Sequence, residues 1–201
     1  MATLTFYYGV MGCSKSANAL MTRFEQLSNG RKVWLIKPAI DTRDNVVIDG
    51  KPQALVKSRV GISAPAEFIY AQDHIQMPVD TDVIICDEAQ FLQPKQVDEL
   101  NEIAKDLNIP VMCYGLRTDF RTHFFPGSKR LFEIADRLVE LETDCKCGKK
   151  AVISAKFLGG KLVTEGEQID IGGDEKYKAI CYSCWEKYKL AEDLDIECKV
   201  E

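Results

Sequence analysis

The sequence predicts an α/β fold in which a mainly parallel sheet is flanked by helices and followed by a small C-terminal metal-binding lobe. Apolar, β-prone runs alternate with helix-compatible segments over residues 1–142, a pattern typical of parallel α/β sheets. The first strand and helix enclose a glycine-bearing loop, and two close cysteine pairs follow a change of composition at Thr143. We therefore predict a P-loop α/β nucleotide-binding domain over residues 1–142, a lobe over residues 143–191 and an acidic tail over residues 192–201.

The elements follow in order from periodicity and from their stop signals. Asn29-Gly30 ends the first helix, because asparagine and glycine are typical helix stop signals. Pro38 ends the second strand, because proline is unfavourable within a strand. In the α/β domain, we predict strands at residues 3–9, 32–38, 82–91, 109–115 and 137–142, and helices at 17–27, 65–71, 94–107 and 128–135. Residues 41–52 are polar and turn-rich, which indicates an exposed loop. In the lobe, we predict a hairpin of residues 151–158 and 161–163, a loop over 164–173 and a short helix over 185–191.

Length and charge exclude several classes of protein. A chain of 201 residues can bury one core and a small appendage. Its net charge of −5 disfavours non-specific binding to nucleic acid or to an anionic membrane, both of which need a basic surface. There is no apolar stretch of membrane-spanning length and no signal-peptide layout at the N-terminus. We expect a cytoplasmic protein with neither nucleic acid nor membrane as a partner.

The loop between the first strand and helix predicts a phosphate site. It nearly matches the P-loop pattern, in which backbone N–H groups and a lysine surround nucleotide phosphates. Lys15 would contact the β- and γ-phosphates of ATP, and the Ser16 hydroxyl would bind Mg²⁺. Ser14 stands where the pattern has glycine, and it would be strained if the turn requires a positive φ. The alternative is an ordinary strand–turn–helix corner with a chance Lys-Ser. The predicted loop contacts are Gly9, Val10, Met11, Gly12, Cys13, Ser14, Lys15 and Ser16.

Two acids end the strand that begins at Asp82. Ligands of open α/β sheets bind outside the carboxyl ends of the strands, so Asp87 and Glu88 should lie beside the phosphate loop. Asp87 is suited to hold Mg²⁺, and Glu88 to accept a proton from a substrate hydroxyl. The alternative is a solvated strand end. We include Asp87, Glu88, Ala89 and Gln90 among the predicted ATP-binding residues.

Four of the eight cysteines form two close pairs, Cys145 with Cys147 and Cys181 with Cys184. Four thiolates in two pairs satisfy a tetrahedral zinc ion, and without a spare ligand such a site is closed and structural. Disulfides or free thiols are the alternatives. Cys86 and Cys113 lie within strands and are predicted to be small buried apolar residues.

Together these motifs resemble the type II thymidine kinase family, which includes the human cytosolic enzyme and many bacterial ones. The resemblance spans nearly the whole chain. It rests on the loop of residues 9–16, on Asp87-Glu88-Ala89-Gln90-Phe91, on the run from Tyr114 to Phe120, on Glu165-Gly166-Glu167-Gln168, on the run from Ile171 to Tyr177 and on the four paired cysteines.

The resemblance implies a P-loop kinase-like fold and transfer of the ATP γ-phosphate to the 5′-hydroxyl of thymidine or deoxyuridine. Glu88 matches the family's general base. Met11, Phe91, Leu116 and Phe120 match an apolar pocket for the base, and Arg59 is placed near the transferred phosphate. A lasso loop, tied down by zinc, covers the nucleoside; the residues that match it and the tyrosine beneath it are Gln168, Ile169, Asp170, Ile171, Gly172 and Tyr177. The resemblance also implies Mg²⁺ with ATP, a homotetramer and feedback inhibition by thymidine triphosphate.

The chain departs from the family at two positions in the phosphate loop. Ser14 replaces a glycine and Ala17 replaces a frequent threonine. Of the two, only Ser14 is a predicted ligand-binding residue. One alternative to an active kinase is therefore an inactive relative of the family. A zinc-ribbon ATP-binding module acting on nucleic acid or partner proteins is another, with Lys146, Lys149 and Lys150 as its basic patch.

Overall fold

The computed structural model describes residues 1–48, 50–169 and 174–193 and has the predicted α/β architecture. Its main sheet has eight strands in the order β3-β4-β5-β2-β6-β7-β1-β8. In this order, all neighbours from β5 to β8 pair in parallel. At the other edge, β4 pairs antiparallel with both β3 and β5. The strands are β1 Leu4–Gly9, β2 Val33–Pro38, β3 Val46–Ile48, β4 Lys51–Lys57, β5 Ser63–Ile69, β6 Val83–Cys86, β7 Val111–Leu116 and β8 Arg137–Glu140.

Helices cover both faces of this sheet and produce two cores. The helices are α1 Lys15–Ser28, α2 Pro94–Asp106 and α3 Pro126–Ile134. On one face, α2 and α3 pack over apolar side chains such as Phe6 and Ile84. On the other face, α1 packs over Ile85 and Tyr114. Cys86 and Cys113 are fully buried at paired positions of β6 and β7, as predicted.

The strand predicted over residues 82–91 is too long, because β6 ends at Cys86 and Ala89–Phe91 form a 3₁₀ turn. Two further predicted elements are wrong. Residues 65–71, predicted as a helix, belong mainly to β5, which pairs with β2 on one side and β4 on the other. Residues 41–52, predicted as a loop, contain β3 and the start of β4. In both cases backbone pairing with a neighbouring strand outweighs local preference. Pro65 is accommodated in β5, where it lies opposite Leu55.

The C-terminal lobe is a three-stranded antiparallel sheet with one helix. It consists of β9 Ile153–Leu158, β10 Lys161–Val163, β11 Tyr177–Ile180 and α4 Tyr182–Asp193. The predicted hairpin around Gly159-Gly160 is confirmed by the pairing of β9 with β10. The core of the lobe also includes Val10 from the phosphate loop, so the lobe packs directly against the start of the α/β domain. Among the described helices, none is both long enough and apolar enough to cross a membrane.

Candidate active site

The loop between β1 and α1 has the shape of a phosphate-binding turn. Gly12 and Ser14 both have positive φ values, 84° and 62°, and α1 begins directly after Ser14. The Lys15 side chain is buried and its Nζ donates to the Val10 carbonyl at 2.7 Å. This contact holds the ammonium group inside the turn, where a phosphate oxygen would meet both the lysine and the positive end of the α1 dipole.

Asp87 follows β6 and lies beside Ser16 at the same edge of the sheet. Burial, and then the neighbouring Glu88 carboxylate, raise the pKa of Asp87 to about 7, although the Ser16 hydrogen bond and the Lys15 charge act in the opposite direction. A buried carboxylate whose ionisation is this unfavourable is stabilised by an added cation. A hydroxyl and a carboxylate are also the oxygen ligands that Mg²⁺ prefers. Ser16 and Asp87 therefore fit a magnesium ion.

Glu88 is held in a left-handed backbone conformation, with φ at 52°, which is uncommon for a residue other than glycine. Its carboxylate accepts a hydrogen bond from Gln90 Nε2 and pairs with Arg43 Nη2 at 2.7 Å. Strained backbone of this kind concentrates at functional sites, where the surrounding contacts hold one side chain in place.

Arg43 is the end of a chain of ion pairs that reaches the core. Its Nε lies 2.7 Å from Asp41 Oδ1, and Asp41 Oδ2 lies 2.9 Å from Lys37 Nζ. Burial raises the pKa of Asp41, but the hydrogen bond and charge of Arg43, with those of Lys37, outweigh it and leave the pKa below its usual value. The Asp41 carboxylate thus stays ionised and orients Arg43 towards Glu88. The sequence motifs do not predict these ion pairs, although a lysine within an apolar strand indicates a buried acidic partner.

Two adjoining cavities meet at Glu88. The larger, about 530 Å³, is lined by the phosphate loop, Arg59 and Asp87. The smaller has a volume of about 50 Å³, and half of its lining residues are aromatic or belong to the lobe. Four residues line both, and so mark the junction: Met11, Arg43, Glu88 and Leu116. Since Glu88 is the carboxylate at this junction, it can reach groups in either cavity.

The structure distributes the predicted site residues between these cavities. Ser14, Lys15, Ser16 and Arg59 line the larger one. The predicted base-binding and lasso residues that line the smaller one, together with Gln90, are Phe91, Phe120, Gln168, Ile169 and Tyr177. Asp170, Ile171 and Gly172 lie outside the described residues.

Other predicted contacts serve to shape the loop. Val10 and Cys13 are buried, as is Ala89. A Cβ atom at Gly9 would lie 2.5 Å from both Cys13 Sγ and the Leu141 carbonyl. These residues support the cavity walls through close packing.

Several residues that line the smaller cavity are not among the predicted site residues. Phe125 and Ser154 line it, and Ser154 Oγ accepts a hydrogen bond from the Met11 backbone at 2.9 Å. Asp119 also lines it and is buried, and it is not among the predicted site residues. Ser154 and Met11 are 143 positions apart, and Asp119 and Gln168 are 49 apart, so no local pattern marks these two contacts.

The four paired cysteines come together in the lobe. Their sulfur atoms all lie within 4.8 Å of one another, and Cys147 Sγ is 3.6 Å from Cys181 Sγ. A tetrahedral zinc ion with Zn–S bonds of about 2.3 Å separates its sulfurs by roughly 3.8 Å, whereas a disulfide requires about 2.05 Å. Burial raises the pKa of Cys145, but backbone hydrogen bonds from Cys147 and Cys181 lower it more, to about 7. The cluster therefore fits zinc.

Sequence comparisons with known proteins match most of the chain to thymidine kinases. A family model described as thymidine kinase matches residues 2–185. The thymidine kinase of Zymomonas mobilis is 41% identical over 191 residues, which cover 90% of this chain and 94% of that protein. The thymidine kinase of Enterobacteria phage T4 is 42% identical over 193 residues (92% and 96%), and that of Encephalitozoon cuniculi is 40% identical over 202 aligned positions (96% and 91%).

Among solved structures, the Pif1 helicase of Candida albicans matches 70% of this chain and 36% of its own, with 14% identity and a TM-score of 0.35. We draw no conclusion about fold or function from a similarity of this size.

Proposed function

The chain belongs to the thymidine kinase family, and on that premise we propose that it transfers the γ-phosphate of ATP to the 5′-hydroxyl of thymidine or deoxyuridine, a step of pyrimidine salvage. The observation that carries the proposal is the position of Glu88 where a phosphate-loop cavity meets an aromatic cavity. ATP would occupy the larger cavity and the nucleoside the smaller, so that the transferred group passes beside this carboxylate.

Glu88 would act as the general base of the transfer. In the structure its carboxylate pairs with Arg43, which directs it at the junction. The 5′-hydroxyl would donate its proton to Glu88 as its oxygen attacks the γ-phosphorus atom, and the bond from that atom to the β-phosphate bridging oxygen would break.

Positive charge around the larger cavity would stabilise the transition state. Phosphoryl transfer depends mainly on alignment and charge neutralisation. Lys15 would contact the phosphates from inside the loop, while Arg43 and Arg59 line the same cavity and Arg59 lies close to Gly12 of the loop. A magnesium ion held by Ser16 and Asp87 would neutralise further phosphate charge. Of the two cavities, Arg59 lines only the larger one, which supports the place near the transferred phosphate that the family resemblance implies for it.

The smaller cavity supports recognition of a pyrimidine base. Phe91 and Phe125 pack edge to face with their ring centroids 5.5 Å apart, and Phe120 and Tyr177 complete an aromatic lining. At about 50 Å³ the cavity is smaller than the 300 Å³ or so of ordinary ligand sites. Admission of a nucleoside therefore requires outward movement of lining side chains, which would then close over the base and exclude water.

The lysines near the cysteine cluster favour the kinase over a nucleic-acid-binding module. Lys150 pairs with both Glu140 and Glu142. The neighbouring acids thus neutralise part of the basic patch, and a nucleic-acid partner would find little positive charge there.

The thiol geometry supports one structural zinc ion per chain in the lobe. By resemblance to the family we also propose a homotetramer inhibited by thymidine triphosphate. The apolar side chains of Met21 and Phe24 on α1, which are 66% and 73% exposed, support a helix-mediated contact between copies. Three residues apart on a helix, they lie on one face.

The function is tested by incubating the protein with ATP, Mg²⁺ and single nucleosides and measuring the monophosphate formed. We expect turnover with thymidine and deoxyuridine. Glu88→Gln keeps the shape of the side chain but removes the base, so kcat should fall by roughly 10²- to 10⁴-fold while ATP binding persists. Glu102→Gln, on the exposed face of α2, is the matched control and should leave kcat unchanged. If neither thymidine nor deoxyuridine were phosphorylated, the proposed reaction would be refuted. An unchanged kcat in Glu88→Gln would refute the role of Glu88 as general base.

A further inference from the structure

Asp119 lies in the loop after β7, and its carboxylate has no exposure to solvent. Oδ1 accepts hydrogen bonds from the backbone N–H groups of Arg121 and His123, both at 2.9 Å. Oδ2 accepts from Arg121 Nε at 3.1 Å and Nη2 at 2.9 Å. A fully buried carboxylate is costly unless such donors surround it, so this loop is built around its charge.

The same carboxylate also holds a second loop, which belongs to the lobe. Gln168 Nε2 donates to Asp119 Oδ2 at 2.9 Å and to the Phe124 carbonyl at 3.2 Å. Arg121, already paired with Asp119, donates through Nη1 to the Gly166 carbonyl at 3.0 Å. Two contacts from one ion pair therefore fix the segment of residues 164–169 against the α/β domain. We call this group of Asp119, Arg121 and Gln168 the anchor.

The anchor lies at the wall of the smaller cavity. Asp119 and Gln168 line that cavity together with Phe120 and Ile169, the residues that follow each of them in the chain. A shift of residues 164–169 would consequently change the cavity on the lobe side. The larger cavity has none of these four residues in its lining.

We propose that Asp119 is a positioning residue, which acts through Gln168 and Arg121 to hold residues 164–169 as a preformed wall for the nucleoside. The inference rests on the proposed kinase function and adds a residue that controls acceptor affinity. A preformed wall spares the bound state the entropy of ordering this segment. The anchor should therefore affect nucleoside binding and leave ATP binding and the chemical step alone.

Asp119→Asn tests this role with little change of shape. The new Nδ2 group would face the donors of Arg121 and Gln168, so the charge-assisted bonds are lost. We expect the KM for thymidine to rise at least about tenfold, while kcat and the KM for ATP stay within about twofold. A purely structural role would instead lower kcat and active-enzyme concentration together, with the KM for thymidine unchanged, and would overturn the proposal.

A rescue separates the anchor from direct contacts of Gln168 with substrate. In the double variant Asp119→Asn/Gln168→Glu, the carboxylate introduced at position 168 can accept hydrogen bonds from the amide introduced at position 119 and from Arg121. The ion pair with Arg121 is then made by the carboxylate at position 168 instead of the one at position 119. The KM for thymidine should be lower in the double variant than the two single changes predict by addition. Strict additivity would show that the two side chains do not act together.

Asp136→Asn is the matched control for loss of a loop carboxylate. Asp136 pairs with Lys105 and caps the Leu4 N–H group at the opposite end of β1. Its replacement should lower stability while leaving the KM for thymidine unchanged.

Hydrogen exchange gives a readout that does not require activity. Amides in residues 164–169 should exchange faster in Asp119→Asn than in the unaltered protein or in Asp136→Asn. Equal exchange in all three would overturn the anchor whether or not the protein phosphorylates thymidine. If the unaltered protein turns over thymidine but Asp119→Asn changes neither exchange nor KM, this inference fails and the proposed function stands.

Discussion

Ser14 is the residue at which the phosphate loop departs from its usual pattern, and the structure gives it a left-handed conformation with φ at 62°. A residue with a side chain is less stable there than glycine by about 1 kcal/mol. Its hydroxyl makes no capping hydrogen bond to α1, and the side chain is exposed in the larger cavity. The serine thus carries a conformational cost without a compensating contact to the helix.

Ser14→Gly should therefore leave the KM for ATP unchanged or lower it. The relief of strain is partly offset by the greater freedom of glycine in the unfolded chain, so the free energy of unfolding should change by no more than about 1 kcal/mol. Steady-state kinetics and thermal unfolding check both quantities. Ser14→Ala is the control, because it removes the hydroxyl and keeps the strain. A large loss of activity in both variants would show that the hydroxyl itself contacts the nucleotide.

Residues in contiguous motifs were predicted as site residues, whereas Asp119 and Ser154 were not. Lys15, Ser16, Asp87 and Glu88 stand in contiguous motifs whose chemistry is readable from spacing alone. The contact of Asp119 with the lobe, by contrast, is made to Gln168, which lies 49 positions away. The same holds for the hydrogen bond between Met11 and Ser154, 143 positions apart. Only the fold brings such residues together.

At the scale of elements, the parallel core was predictable and the antiparallel side of the sheet was not. The central strands are continuous apolar runs because both faces of the sheet are covered by helices. Strand β5, which joins the parallel core to β4, instead alternates buried and more exposed positions and contains Pro65. Alternation is typical of a half-buried strand, but proline near the start of a segment and alanine also favour a helix, so the local pattern is ambiguous. Pairing with β2 and β4 decides the outcome.

The 3₁₀ turn Ala89–Phe91 depends on a glycine in another element, which yields a testable prediction. A Cβ at Gly127, in α3, would lie 2.6 Å, 2.7 Å and 2.9 Å from the carbonyl oxygens of Ala89, Leu92 and Gln90. These are backbone atoms, so the turn itself must move. Gly127→Ala should lower the free energy of unfolding by about 1–3 kcal/mol.

The same change should reduce kcat, because Glu88 directly precedes the displaced turn. Denaturant unfolding and steady-state kinetics measure the two effects. Lys129→Ala, at an exposed position of the same helix, should change neither by much. If Gly127→Ala retained full stability, the close packing of α3 on this turn would be contradicted.

At the scale of the whole molecule, the lobe and the phosphate loop form one packed unit. Val10 contributes to the lobe core together with Cys145 and Cys181, and Met11 donates its backbone N–H to Ser154 of β9. The cysteine cluster lies in the lobe against which these two loop residues pack, and a metal ion bound there would hold the lobe together. Loss of a metal ion from the cluster should therefore weaken the binding of ATP as well as that of the nucleoside.

Zinc removal should accordingly raise the KM for both substrates, in contrast to Asp119→Asn, which should raise it for thymidine alone. In small domains the free energy of zinc binding is largely folding free energy, so Cys184→Ser or prolonged chelation should unfold the lobe and free Val10 and Met11. We expect about one zinc ion per chain before treatment and a fall of several degrees in the unfolding midpoint afterwards. Cys86→Ala, outside the cluster, should retain its zinc. A metal-free protein with an unchanged KM for ATP would show that the phosphate loop holds its shape without the lobe.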